Sequence, residues 1–150
     1  MTDPVETKAV KQVTAGSGPR CNRPSLATSG TYAALVVDPP WRYGNTATRA
    51  AAEDHYETMT IEELCALELP AADDAHLYLW VTNSFIREGF ELIDAWDFTY
   101  KTTLTWCKPS IGMGNYFRVN TEHVLFAVKG SLPTLVNDVG THFAANRGKH

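Results

Sequence analysis

The sequence predicts an α/β fold, and three observations carry that prediction. A short apolar run, Ala33 to Val37, reads as a strand buried on both faces. Two helical patterns follow, one opened by a capping-box signature and one with apolar residues at spacings of four and three. Two alternating segments come last and read as an antiparallel strand pair at one side of the sheet.

The elements follow in order. Residues 1–30 are rich in Thr, Ser, Gly, Pro and Lys and lack apolar periodicity, so they are expected to form a mobile arm ahead of one domain over 31–150. The first strand stops at Asp38-Pro39-Pro40-Trp41, because two prolines have no N–H to continue a ladder. The polar stretch 42–59 reads as a long loop. Thr60 and Glu63 are placed to cap each other's backbone at a helix start, with Ile61, Leu64 and Cys65 as its apolar stripe and Pro70 closing the region. A second strand is expected at about 76–81. Asn83 or Ser84 then caps a helix reaching about Trp96, with Ile86, Phe90 and Ile93 on one face. In the next segment Tyr100, Thr102, Leu104 and Trp106 alternate with Lys101, Thr103, Thr105 and Cys107, as in a half-exposed strand. A glycine-containing loop leads to a fourth strand ended by Lys129-Gly130, and the remainder carries weak signals.

Bulk properties narrow the function. The chain has 150 residues, 44% of them apolar and 20% charged, which suits one globular domain. No apolar run approaches a membrane span, and no signal-peptide layout opens the chain. The three cysteines, Cys21, Cys65 and Cys107, are widely spaced and odd in number, which fits reduced thiols and a cytoplasmic location. The five histidines lack ligand spacing with cysteines or acids, so no metal site is expected. Net charge is −4 but uneven: +2 over 1–30, −10 over 31–98 and +4 over 99–150. The basic last third can face phosphates, although a solvated surface explains it as well.

The chemistry concentrates at Asp38. In open α/β sheets ligands bind beyond the carboxyl ends of the strands, and Asp38 stands at such an end. Its carboxylate and the rigid carbonyl of Pro39 form two acceptors about one amine group apart, and Trp41 adds a flat apolar surface. An exocyclic amine on an aromatic base suits that set. Its lone pair is delocalised, and two acceptors gripping its hydrogens draw the nitrogen toward tetrahedral geometry. A bare Asp-Pro-Pro is more often a turn that ends a strand, so the aromatic residue and the preceding buried strand matter to the reading.

Five segments in this order, DPPW, HYETMTIEEL, LYLWVTN, YKTTLTWCK and NTEHVLFAVKG, resemble the DPPW-type adenine-N6 methyltransferases over about residues 33–150. The family includes the catalytic subunit of the messenger-RNA N6-adenosine methyltransferase and bacterial and phage DNA adenine methyltransferases. The "HY-TM" and "LWVTN" segments are closer to the bacterial or phage style. The resemblance implies a Rossmann-like methyltransferase fold with permuted segment order, S-adenosylmethionine as cofactor, and transfer to adenine N6 in nucleic acid, DNA before RNA. It also implies that Asp38 and Pro39 hold the amine and that Pro40 and Trp41 shape the base pocket, with Asp38 facing the cofactor as well. Tyr56, Trp80, Asn83, Lys108 and Glu122 are implied as substrate-binding residues. Each has a plain structural alternative: a loop anchor for Tyr56, strand core for Trp80, a helix cap for Asn83, and solvated strand-end charges for Lys108 and Glu122. His123 alternates to the opposite face and reads as structural.

The resemblance also has a departure. In the family the cofactor-binding half follows the target-amine half, and this chain ends at NRGKH, where that half would begin. The expectation is therefore the DPPW-containing half of the sheet plus an antiparallel strand pair. Its first strand would be an open edge, and most cofactor contacts would lie past His150. The full activity is expected of a longer parent, and weak or no catalysis of this chain alone. The competing reading is a catalytically silent fragment, or a subunit that holds nucleic acid or a partner, with dimerisation left open.

Overall fold

The structure, a computed structural model, describes residues 30–43, 58–114 and 116–146. The expected N-terminal arm, apart from Gly30, and Tyr56 in the 42–59 loop lie outside the described residues.

Among the described residues, seven elements form a mixed α/β arrangement: β1 (Tyr32–Val37), α1 (Ile61–Cys65), β2 (Ala71–Val81), α2 (Ile86–Ala95), β3 (Thr99–Cys107), β4 (Thr121–Lys129) and β5 (His142–Ala144). The sheet order is β1-β2-β4-β3-β5. β1 and β2 run parallel, β4 is antiparallel to both β2 and β3, and β5 pairs parallel with β3. The expected antiparallel pair is present, with β4 inserted between β2 and β3. As a result β1, β2 and β3 all point the same way, and their carboxyl ends meet the start of β4 along one rim of the sheet. β1 is an edge strand.

The Thr60–Glu63 capping box forms in both directions. The Glu63 N–H donates to Thr60 Oγ1 at 3.2 Å, and the Thr60 N–H donates to Glu63 Oε2 at 2.7 Å. The helix it opens lasts five residues, with Leu64 buried. Both helices pack on one sheet face, where Leu35, Leu77, Leu79, Val81, Leu125 and Ala127 meet Leu64, Leu92, Ile93 and Trp96. Gly89 lets α2 approach that face: a Cβ there would meet Val81 Cγ1 at 2.7 Å and Leu125 Cδ1 at 2.8 Å. Trp96 Nε1 donates to the Leu64 carbonyl at 3.1 Å and so links the helices.

Several expectations are corrected. β2 starts at Ala71, because Asp73 and Asp74 hide a strand start that is weak in β propensity. Neither Asn83 nor Ser84 caps α2: its N-cap is Phe85 and lacks a side-chain bond. Phe90 is exposed on α2, whose buried residues are Gly89, Leu92 and Ile93. A register shift between Tyr100 and Thr102 turns Tyr100 to the helix-bearing face, where its ring meets Phe90 at 5.0 Å. β5 had no signal in its own residues and exists through pairing with β3.

The other sheet face carries Ala34, Val36, Tyr78, Trp80, Leu104, Trp106, Glu122 and Phe126 by strand alternation and pairing. It is open in places, with Val36 72% exposed. Residues 131–141 cross part of it, tied by His76 Nε2 donating to the Leu132 carbonyl at 2.8 Å. Beneath them lies an apolar cavity of about 700 Å³ lined by residues such as His76, Tyr78, Leu104, Phe126 and Leu135.

Candidate functional site

Strand direction brings the candidate residues together. Asp38 follows β1, Trp80 and Asn83 close β2, Trp106 and Lys108 close β3, and Glu122 opens β4. All lie at the shared rim, away from the 700 Å³ cavity, whose lining includes none of them. Their gathering follows from β4 doubling back between β2 and β3.

The Asp38-Pro39-Pro40-Trp41 turn is locked from several sides. The Trp41 N–H donates to the Pro39 carbonyl at 2.8 Å, and the Met59 N–H donates to the Pro40 carbonyl at 3.0 Å. Arg42 Nη2 also donates to the Thr58 carbonyl at 3.3 Å. Pro39 is buried, and its carbonyl keeps a second lone pair while its direction is set by the Trp41 bond. Trp41 is a core residue, 6% exposed, stacked on Phe85 with centroids 4.8 Å apart and planes 12° apart. It anchors the turn from below and does not present a free ring. Its Nε1–H is buried and has no partner among the described residues.

Two carboxylates occupy the rim. Partial burial, and then the nearby Glu122 charge, push the Asp38 carboxyl above the usual range. Although Asp38 as a residue is exposed, enough of its carboxyl is screened from water for burial to be the larger cause. The Lys108 ammonium is bound to the Glu122 carboxylate, and the two side chains are 11% and 30% exposed. The same ammonium lies 4.8 Å from the centre of the Trp106 ring. Trp106 pairs with Glu122 across β3 and β4, meets Trp80 edge-to-face at 6.0 Å, and donates its Nε1–H to the Ala145 carbonyl at 2.9 Å.

On the helix-bearing side of the rim, Asn83 joins two strands. Its Nδ2 donates to the Thr121 carbonyl at 2.9 Å and to Thr121 Oγ1 at 3.2 Å. His123 Nε2 lies 3.2 Å from Asn83 Oδ1, and His123 Nδ1 lies 3.1 Å from Thr105 Oγ1. With Nε2 protonated and Nδ1 accepting from Thr105, every partner is satisfied. The chain thus binds the end of β2 to β4 and β3 next to Glu122.

Sequence reasoning passed over Trp106, Thr105 and the bonding of His123. Alternation had already placed Trp106 on the open face, but its pairing with Glu122 depends on a register between separate strands. The described residues do not form a cradle for S-adenosylmethionine. The outer edge of β1 is unpaired among them, and none of their glycines opens a helix after a strand to offer backbone N–H groups. Among the described residues, no three His, Cys, Asp or Glu side chains gather in a way that would hold a metal. Among the described residues, no helix is long and apolar enough to cross a membrane.

Comparison with known proteins identifies the family. The MT-A70 family matches residues 32–146. The type II methyltransferase M.MunI of Mycoplasma sp is 30% identical, over 79% of this chain and 61% of that protein. The human N(6)-adenosine-methyltransferase catalytic subunit METTL3 is 29% identical, over 68% of this chain and 18% of its own. The MT-A70-like N(6)-adenosine-methyltransferase of Drosophila melanogaster is 30% identical, over 75% and 19%. The chain therefore spans about three fifths of M.MunI and under a fifth of the N(6)-adenosine methyltransferases it matches. With the match running from β1 through β5 and taking in the whole rim, the chain belongs to the MT-A70 family.

Proposed function

We propose that the rim is the acceptor side of an adenine-N6 methyltransferase centre acting on nucleic acid, DNA before RNA. The observation that carries this reading is the turn after β1, whose Pro39 carbonyl is fixed in direction by the Trp41 N–H, with the Asp38 carboxylate at its mouth on the rim that Glu122 shares. Asp38 and Pro39 accept the two amine hydrogens, which localises the nitrogen lone pair for attack. An Asp38 carboxyl that holds its proton more tightly is also a better acceptor for the proton the nitrogen must shed. Glu122 bonds the nucleoside, and Lys108 holds Glu122 in place. Trp80 and Trp106 offer ring surface on the open face, while Pro40 and the buried Trp41 keep the turn rigid. Tyr56 and Asn83 complete the substrate set in this reading. DNA is preferred on the bacterial or phage style of the HY-TM and LWVTN segments.

S-adenosylmethionine, as methyl donor, would supply an electrophilic methyl on sulfonium. Since the described residues make no cradle for it, they account for the acceptor side alone. The alternative reading is a subunit that holds nucleic acid or a partner without transferring a methyl group.

One paired experiment separates these. Adenosine monophosphate is titrated calorimetrically into wild type and Asp38→Ala, and methyl transfer from labelled S-adenosylmethionine is assayed on adenine-containing DNA and RNA. Nucleotide binding that Asp38→Ala abolishes, with transfer to DNA, supports the enzyme. Binding without transfer supports the second reading. A wild-type protein that neither binds the nucleotide nor transfers a methyl group to DNA or RNA overturns the adenine-site reading.

A further inference from the structure

The connection from β3 to β4 stands beyond the rim that holds Asp38, Trp80 and Glu122. It is folded back on itself: the Lys108 N–H donates to the Asn120 carbonyl at 2.7 Å, and the Gly112 N–H donates to the Val119 carbonyl at 2.6 Å. Two glycines allow the arms to close. A Cβ at Gly112 would stand 2.9 Å from the Val119 carbonyl oxygen, and one at Gly114 would clash with that of Phe117. The fold of this finger therefore depends on its sequence.

What the finger displays is unusual for a surface. Tyr116 is 97% exposed, Phe117 87% and Met113 89%, with Ile111 and Arg118 exposed beside them. Large apolar side chains left in water close together along one short loop mark a contact surface. The finger grows from the two strand ends that carry Lys108 and Glu122, so it starts at the rim itself. Beyond Lys108, which Glu122 holds at its base, the charged side chain it carries among the described residues is Arg118, a cation suited to phosphate.

We propose that this finger is a wedge for duplex DNA: Tyr116 and Phe117 enter the base stack beside the adenine that leaves it, and Arg118 meets the flanking phosphate. The proposal rests on the adenine-site reading above. A base in a duplex must be extruded to reach a rim of this kind, and extrusion leaves a gap in the stack. Apolar side chains fill such gaps in proteins that kink DNA, and aromatic rings stack on any base. The rings bind the gap the target leaves, while the rim binds the target.

The test compares a duplex carrying one bulged, unpaired adenine with the same duplex fully paired, and both with adenosine monophosphate. Wild type is expected to bind the bulged duplex at least about tenfold more tightly, because unstacking has already been met. Tyr116→Ala with Phe117→Ala, both solvent-facing, is expected to unfold at the wild-type temperature and bind the nucleotide unchanged. It should lose about 5- to 100-fold in affinity for the fully paired duplex per ring that stacks, and keep or widen its preference for the bulge. Equal duplex affinity in the double variant overturns the wedge, as does a wild type that binds the nucleotide but ignores the bulge. A double variant that loses nucleotide and duplex alike places these rings in the base site and also overturns it. Self-association lost in the double variant, with DNA binding intact, makes the finger a protein contact and overturns it. A wild type that binds neither nucleotide nor DNA removes the adenine-site reading itself and the wedge with it.

Discussion

The Lys108 ammonium is bound to the Glu122 carboxylate across the β3–β4 pair, so the rim's most buried cation is already engaged by one of its two acids. That pairing separates two roles for Lys108. A lysine that meets phosphate contributes about 0.9 to the slope of log affinity against log salt. A lysine held by Glu122 does not. Lys108→Met is expected to leave the salt slope of DNA binding unchanged and to lower stability by about 1–3 kcal/mol, because it strands a half-buried carboxylate. Lys108→Arg should recover most of that stability. The measurements are a salt series of DNA binding and urea unfolding of the three proteins, and a slope reduced by about one unit would return Lys108 to the phosphate.

Asp38 gives a prediction with a definite sign. Its carboxyl pKa is raised in the folded chain by burial and by Glu122. The folded state therefore favours the neutral acid, and this contribution to stability is fully present below the ordinary carboxylate range. It is lost as pH rises through the folded value. Asp38→Asn, which fixes a neutral group of similar shape, should raise the melting temperature at pH 7 relative to wild type, with the gap closing toward pH 3. The same substitution should abolish methyl transfer in any preparation that shows it. Thermal scans at several pH values decide this. A variant less stable than wild type at pH 7 would show that the ionised carboxylate is supported by the fold rather than strained in it.

Trp41 distinguishes the turn's anchor from its chemistry. Because the ring is 6% exposed and stacked on Phe85, Trp41→Ala should cost about 3–5 kcal/mol of stability, as other large core truncations do. Trp41→Phe keeps the stack and should cost far less. Asp38→Ala, at an exposed residue, should show no such loss. If Trp41→Ala unfolds at the wild-type temperature, the ring is free for a ligand and the core assignment fails.

What the sequence made legible was local. The capping box could be read because Thr60 and Glu63 are three residues apart and bond each other. β1 and β4 were legible as apolar runs, and the end of β1 was marked by two prolines. The side on which Tyr100 points was not legible. One extra residue in a strand reverses the alternation on either side of it, and nothing in Tyr-Lys-Thr marks the bulge. Asn83 was misread as a cap because caps are local, whereas its partner Thr121 is 38 residues away. The site follows the same division. The residue types at the rim were visible, but the pairing of Glu122 with Trp106 and the hold of Lys108 on Glu122 depend on registers that no single strand encodes.

Asn83 tests whether the rim is held by the protein or completed by its ligand. Its amide bonds Thr121 and His123, and His123 in turn bonds Thr105, so three strand ends are joined through two side chains. Asn83→Ala removes the joint and leaves His123 Nε2 without its acceptor. At this exposed site the expected loss is about 0.5–1.5 kcal/mol, the net worth of an ordinary hydrogen bond. Amide chemical shifts should move at Thr105, Thr121, Glu122 and His123 in the unliganded protein. If Asn83 serves the ligand alone, the free variant should match wild type in stability and in those shifts, and the difference should appear when adenosine monophosphate is added. Urea unfolding and backbone amide spectra with and without nucleotide separate these outcomes. Loss in the free protein means that the rim's geometry is set before substrate arrives, as efficient positioning of an amine requires.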